Sequence, residues 1–312
     1  MRKYDITVIG EANVDLILRG EDLVPGFGQA EKLVEDATLD LGGSSAIFAC
    51  GAGRLDLKVS FIGKLGADEF GTFLIKVLES RGVDTSNIIT DHQKKTGVTL
   101  HLSRLKDRAM LTYPGTIDTM ECHEIDERIF HQTRHVHVSS FFLQKGLQKG
   151  LAYLFERAKA AGATVSVDPG WDPEERWNGY LQPVLDQIDI FLPNDQEAMH
   201  ITSTQSIADA IKELRSRLPL SVIKMGQKGA CALQSGEVKT CHGFKVSSVD
   251  ATGAGDSFNA GFLYAYLHDY ELNECLRWGC ACGALSTRSA GGIAAQPTIT
   301  EVTSFLAQYL ED

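Results

Sequence analysis

The chain has 312 residues, with 30 Lys and Arg against 41 Asp and Glu and a formal net charge of −11. That length suits one large α/β domain with a small appendage, or two domains, and buries a sizeable core without help from metals or disulfides. The acidic balance and the lack of any basic run argue against a nucleic-acid footprint, and no apolar run approaches a membrane span, so a cytoplasmic protein is expected. Seven cysteines, odd in number and with no Cys-x-x-Cys pair, read as reduced core thiols.

Tyr4 to Gly10 reads as a buried first strand, and Glu11-Ala-Asn-Val-Asp15 follows at its C-terminal end, where open parallel sheets bind ligands. Asn13 and Asp15 are there either as turn-forming residues or as hydrogen-bond partners for hydroxyl groups. No G-x-G-x-x-G turn follows the strand, which counts against a dinucleotide-dependent oxidoreductase. Residues 16–41 hold short alternating segments broken by Gly20, Pro25, Gly26 and Gly28, and residues 97–113 read as a hairpin about a polar turn at Lys106-Asp107-Arg108. The two patches would form a small β lid on a main domain made of 1–15, 42–96 and 114–312. Gly42 and Gly43 turn the chain into a helix of small and apolar residues, allowing close backbone approach to a ligand or simply feeding a packed helix. Lys58 to Gly63 is the next strand, and Asp68 opens a helix that ends before Gly82.

From His135 the pattern is strand then helix, repeatedly. His135 to Val138 is a strand, Gly146 to Ala161 a helix closed by Gly162, Thr164 to Val167 a strand reaching Asp168, and Ile188 to Leu192 a strand reaching Asn194. Such alternation implies a mainly parallel sheet covered by helices on both faces. His135 and His137 have no acidic or cysteine partner at ligand spacing and read as sheet residues rather than metal ligands. Asn194-Asp-Gln-Glu197 begins a helix just past a strand end, where acidic residues favour the helix dipole and could also orient a phosphate-borne Mg²⁺. Val222-Ile-Lys-Met-Gly-Gln-Lys-Gly229 is a strand entering a turn bounded by Gly226 and Gly229, with two lysines, of which Lys228 reads as a solvated turn lysine.

The most informative stretch is Asp250-Ala-Thr-Gly-Ala-Gly-Asp256. Phe244, Val246 and Val249 upstream read as a strand, and Phe258, Phe262 and Tyr266 downstream recur every four residues as a helix stripe. Gly253, Ala254 and Gly255 therefore lie at a helix N-terminus, where backbone N–H groups without intrahelical partners and the helix dipole favour an anion. Asp256 in the first turn is placed to take a proton from an attacking hydroxyl. The chemistry suggested is phosphoryl transfer to an alcohol.

This unit resembles the signature of the PfkB, or ribokinase-like, family of carbohydrate and nucleoside kinases, and further matches run from Asn13 to Gly292 in the family's order. The resemblance implies an α/β ribokinase-like fold with a small β-sheet lid and ATP-dependent phosphorylation of a hydroxyl on a small sugar or sugar acid. It assigns Asp256 as general base, with Gly253, Ala254 and Gly255 stabilising the phosphoryl charge, and Asn13, Asp15, Gly42 and Gly43 around the acceptor. It places Asn194, Lys224, Gly226 and Gly229 along the nucleotide, and Glu197 at Mg²⁺. Carbonyls around Asp250 and Thr252, with the loop from Ser286 to Gly292, would hold K⁺. Two positions depart from the family: Ile47 stands where an Asn often touches the sugar, and Cys280 where an Asn often lies near the base. A homodimer joined through the lid is implied as well. The alternatives are a nucleoside kinase of the same fold and a sensor that binds without chemistry, the latter disfavoured because binding alone does not require Asp256.

Overall fold

A computed structural model describes residues 2–28, 30–104 and 107–309. The chain opens with β1 (Tyr4–Ile9), β2 (Asn13–Arg19), β3 (Asp36–Gly42) and α1 (Ser44–Arg54). Then come β4 (Val59–Ile62), β5 (Lys64–Gly66), α2 (Glu69–Ser80), β6 (Val83–Asp84), β7 (Ile89–Asp91), β8 (Gly97–Arg104) and β9 (Asp107–Tyr113). The central segment holds β10 (Thr133–Val138), α3 (Lys145–Gln148), α4 (Leu151–Ala160), β11 (Thr164–Val167), α5 (Leu181–Leu185), β12 (Ile190–Phe191) and α6 (Asp195–Thr202). The last part comprises α7 (Ile207–Arg217), β13 (Leu220–Lys224), β14 (Ala230–Gln234), β15 (Glu237–Cys241), α8 (Ala254–Leu267), α9 (Leu272–Ser286) and α10 (Ile299–Ala307).

Among the described residues, nine strands form the main sheet in the order β15-β14-β13-β12-β11-β10-β1-β4-β6. Pairing is parallel from β13 to β6, and at the other edge β14 runs antiparallel to both β13 and β15. Each parallel strand is buried on both faces, so its sequence is nearly continuous in apolar residues; Ile6, Val8, Val136, Val165, Ile190 and Val222 are fully enclosed. Two apolar clusters cover the faces, one built on α1, α8 and α9, the other on α4, α5 and α7. His135 and His137 belong to this interior. Their rings hydrogen-bond Thr164, Ser166 and Ser139, and burial pushes both down to about 3, so they stay neutral.

A separate four-stranded sheet has the order β3-β2-β8-β9. Within it, β2 begins at Asn13 and β3 ends at Gly42, so Asn13, Asp15 and Gly42 belong to this sheet rather than to loops of the main one. Of the turn expected at Lys106-Asp107-Arg108, Lys106 lies outside the described residues, while Asp107 and Arg108 already belong to β9. One face of the sheet carries Leu16, Leu18, Leu39, Leu100, Leu102, Leu111 and Tyr113 in register, and Leu39, Leu111 and Tyr113 are exposed. No helix among the described residues is long and apolar enough to cross a membrane, and all seven cysteines are free thiols.

Two elements differ from the sequence expectation. Residues 244–249 are in no sheet, since β15 ends at Cys241. Phe244 instead packs on the rings of Phe305 and Tyr309, and Val246 on the core beneath, so their apolar character reflects packing on helices. The helix expected from Gly146 to Ala161 is split into α3 and α4 at Lys149-Gly150, where a Cβ on Gly150 would lie 2.7 Å from Cys122 Sγ.

Candidate active site

The C-terminal ends of β1, β10, β11, β12 and β13 open on one edge of the main sheet, and the site residues collect there. Gly253 adopts φ +70° as the N-cap of α8 and supplies no side-chain cap; the Ala254 N–H donates to the Ala251 carbonyl within the turn, and the next N–H, of Gly255, follows at the helix start. Across from it, α1 starts in the same way, with Gly43 at φ +91° and no side-chain cap. The two helices pack together: a Cβ on Gly253 would come within 2.9 Å of Ile47 Cγ2. Two helix N-termini thus border one space, each with its dipole positive there, α8 without a side-chain cap and α1 with its Ser45 N–H held by Glu11.

Asp256, in the first turn of α8, is 8 % exposed. Its carboxyl is held well above the ordinary 3.8, by burial first and then by the charge of Asp168; Lys224 pulls the other way, Glu11 adds to the rise, and the Ser44 hydroxyl favours the charged form. Glu11, buried and bonded to the Ser45 hydroxyl and N–H, is likewise raised by burial.

Lys224, at the end of β13, sits among these acids. Its Nζ donates to Asp168 Oδ2 at 2.5 Å and lies 3.6 Å from the position a Cβ on Gly255 would take. Burial works to lower its pKa, but Asp168, Glu197 and Asp256 outweigh it, so the ammonium is retained above the ordinary 10.5. Asp168 Oδ2 also accepts from Asn259 Nδ2 at 2.6 Å, and Asn259 stands one helical turn after Asp256. Asp168 therefore ties β11, β13 and α8 together. Asn194 and Glu197 cap α6 reciprocally, Asn194 Oδ1 accepting from the Glu197 N–H and Glu197 Oε2 from the Asn194 N–H. The backbones of Asn194 and Lys224 form an isolated parallel bridge, and burial, aided by Asp168, pushes Glu197 up to about 7.

On the second sheet, Asn13 Nδ2 donates to Asp15 Oδ1 at 2.8 Å, and a Cβ on Gly42 would fall 2.2 Å from that same oxygen. Gly42 is thus required by the close approach of Asp15. Asp250 spends its carboxylate locally, Oδ1 accepting from the Thr252 N–H and hydroxyl and Oδ2 from the Gly291 N–H. It pins the loop before α8 to the loop after α9. Gly229 is needed for packing, since a Cβ there would sit 2.0 Å from the Cys241 carbonyl oxygen, whereas Gly226 borders open space. Lys228 is exposed and away from these contacts. Gln144 is buried, and Arg104 is exposed at the end of β8.

The structure thus brings Asp256, Gly253, Gly255, Lys224, Asn194 and Glu197 to one edge and sets Asn13, Asp15, Gly42 and Gly43 beside it. Sequence reasoning did not assign Asp168, Asn259, Glu11 or Ser44. The position of Asp168 at the end of β11, matching that of Asn194 after β12, was the available signal.

The model of the pfkB family carbohydrate kinases matches residues 3–299. The chain belongs to that family. It is therefore a sugar kinase, a phosphotransferase with an alcohol acceptor. The chain is 33 % identical over 235 residues to an uncharacterized sugar kinase of Archaeoglobus fulgidus, covering 73 % of this chain and 91 % of that one. It is 30 % identical over 323 residues to Fructokinase-2 of Solanum lycopersicum, covering 96 % and 95 %. Among solved structures, an E. coli protein described as a ribokinase II, in complex with ATP and Mg²⁺, superposes with a TM-score of 0.87 at 23 % identity, over 98 % of this chain and 99 % of that one. The fold is ribokinase-like.

Proposed function

We propose that the protein transfers the γ-phosphoryl group of ATP to a hydroxyl of a small sugar, with Asp256 as the general base. The observation that carries this is the placement of a buried, raised-pKa carboxylate in the first turn of α8, at a helix N-terminus that no side chain caps. An acceptor hydroxyl held by Asn13 and Asp15 can then pass its proton to Asp256 as its oxygen attacks phosphorus. The N–H groups at the start of α8 offset charge on the phosphoryl oxygens, and Lys224, held by Asp168, adds a fixed positive charge next to Gly255. The second sheet acts as a lid that keeps water from competing with the acceptor.

The donor set also suits a phosphate-borne divalent cation. Asp168, Glu197 and Asp256 are buried acids with one ammonium among them, and among the described residues no group of three or more His, Cys, Asp or Glu side chains makes a complete protein cage. Mg²⁺ that keeps most of its ligands from phosphates and water needs only orientation from such residues, with Glu197 and Asn194 on the near side. When bound, it neutralises phosphate charge. The pinned loops at Asp250 and Gly291 suit a monovalent cation held by carbonyl oxygens behind the anion site.

The apolar outer face of the lid supports a two-fold dimer, because Leu39, Leu111 and Tyr113 are exposed together. The kinase reading is tested by ADP release with ATP and Mg²⁺ over a sugar and nucleoside panel. Acceptor-dependent ADP release supports it, and none with any acceptor rejects it.

A further inference from the structure

The seven thiols differ in their surroundings. Cys50, Cys122, Cys231, Cys275 and Cys282 are raised by burial, which makes them poor nucleophiles at neutral pH. Cys241, at the end of β15, is only half-buried, and α9 packs across β15. Cys280, buried on α9, meets it there, and the two side chains share a hydrogen bond in which the Cys280 thiol donates. Cys282, two residues further on, faces α8 instead, since a Cβ on Gly261 would lie 2.6 Å from its Sγ. One thiol is thus reachable from solvent and a second lies behind it in contact. The hydrogen bond from Cys280, and then the Arg277 guanidinium, hold the Cys241 thiol below its ordinary 9.0 against the effect of burial. A thiolate, not a thiol, attacks a disulfide, so Cys241 is the sulfur that a small disulfide meets first.

Both members of the pair are seated on elements of the active site. The Cys241 carbonyl oxygen lies 2.0 Å from where a Cβ on Gly229 would stand, and the Gly229 carbonyl accepts from the Met225 N–H at 2.8 Å, closing the turn that follows Lys224. On α9, a Cβ on Gly279 would fall 2.9 Å from the Phe258 ring, and one on Gly283, a turn after Cys280, 3.1 Å from the Ala254 carbonyl oxygen. α9 therefore rests on the first turns of α8, which carry Asp256. A disulfide holds its sulfurs about 2.05 Å apart, well inside the contact of two hydrogen-bonded thiols. With close packing on both sides, β15 or α9 has to move to make up the difference.

We propose that Cys241 and Cys280 are a reversible modification site, joined as a disulfide by exchange with a small-molecule disulfide such as that of glutathione, and that closing the bond weakens ATP binding. The second part rests on the kinase reading of the site; the first stands without it. In the first step the Cys241 thiolate attacks one sulfur of the small disulfide, whose S–S bond breaks and releases one thiolate, leaving a mixed disulfide on Cys241. Cys280 then gives up its proton and attacks Cys241 Sγ, expelling the second small thiolate. The two released thiolates take up protons. The two cysteines lose two electrons and the small disulfide gains them, and an excess of small thiol runs both steps backwards.

The test equilibrates the intact protein with glutathione disulfide, quenches exchange with acid, counts free thiols after unfolding and reads the linkage by peptide mass spectrometry. Two of the seven thiols should be lost, with a Cys241–Cys280 link and no glutathione retained. In Cys280→Ser the exchange should stop at a glutathione adduct on Cys241, and Cys241→Ser should keep all its remaining thiols over the same time. Oxidised wild type should bind ATP with Mg²⁺ at least about tenfold more weakly in calorimetry, because a shift of about 1 Å in a site element costs that much or more. Dithiothreitol should restore the affinity, and Cys241→Ser treated in the same way should not lose it. Retention of all seven thiols overturns the inference, as does a glutathione adduct that persists on wild-type Cys241 or a link that leaves ATP binding unchanged. If the reduced protein binds no ATP, the kinase reading falls, and the thiol count and linkage still decide the disulfide.

Discussion

Replacing Lys224 by Met tests how the site is held together. The Lys224 side chain is 12 % exposed and that of its partner Asp168 8 %, with 2.5 Å between Nζ and Oδ2. Met keeps the length and removes the ammonium that pairs with Asp168 and offsets the nearby charges of Glu197 and Asp256. Breaking a buried pair by removing one partner costs roughly 3–5 kcal/mol, because an uncompensated charge remains. The sign with pH follows from the direction of the shift. Lys224 is held above its ordinary 10.5, so its contribution is fully present below that value and is lost only as pH rises through the higher folded-state value. Urea denaturation at pH 7.5 should therefore show a loss of about 3–5 kcal/mol. Asp168→Asn/Lys224→Met should lose less than the sum of the two single changes, since the second removes the orphan left by the first. An exposed control, Arg128→Ala, breaks the pair with Asp126 at 88 % and 54 % exposure and should leave stability unchanged within error. A Lys224→Met change no larger than that control, or strict additivity in the double variant, would refute the reasoning.

Further outcomes follow from other parts of the site. Gly42→Ala puts a methyl group where Asp15 Oδ1 lies 2.2 Å away, so KM for the acceptor should rise about tenfold or more with KM for ATP unchanged; equal effects on both would show a general disruption. Potassium should raise kcat over a large organic cation at equal ionic strength if the loops joined by Asp250 and Gly291 hold a monovalent ion, and equal rates would remove it from the mechanism. Leu102→Asp, on the apolar face of the second sheet, should convert a dimer to a monomer in sedimentation velocity; wild-type protein that is monomeric at micromolar concentration would sink the dimer.

The parts of this protein that were legible in the sequence are those where one periodicity dominates. The βα alternation after His135 and the helix stripe of Phe258, Phe262 and Tyr266 each follow from a single element burying a face. Phe244 and Val246 were misleading because an apolar alternation looks the same whether it packs in a sheet or against helices. Gly150 offered a signal of a helix break, but its necessity comes from Cys122, 28 positions away in the chain. The candidate site divides in the same way. Asp256 and the glycines before it are contiguous, so their joint role was readable, whereas Asp168, Lys224 and Asn259 come from three elements and meet only in the folded sheet. Thr99 comes to stand opposite Asp15 through strand pairing, which no local pattern specifies.

Asp256→Asn is the most direct test of the central claim, because the amide keeps the shape of the side chain and removes its capacity to take a proton. General-base catalysis contributes on the order of 10²–10⁴-fold, and kcat at saturating ATP and acceptor should fall by that much while KM for ATP and the urea midpoint stay close to wild type. Burial, reinforced by Asp168, raises the Asp256 pKa, so wild-type kcat/KM should climb with pH beyond the usual carboxylate range as the proton-accepting form fills. A pH profile of kcat/KM for wild type and Asp256→Asn reads both at once. The account predicts a rising wild-type limb that the variant lacks at a rate at least about 100-fold lower; an unchanged kcat with the same pH limb in both proteins would contradict it.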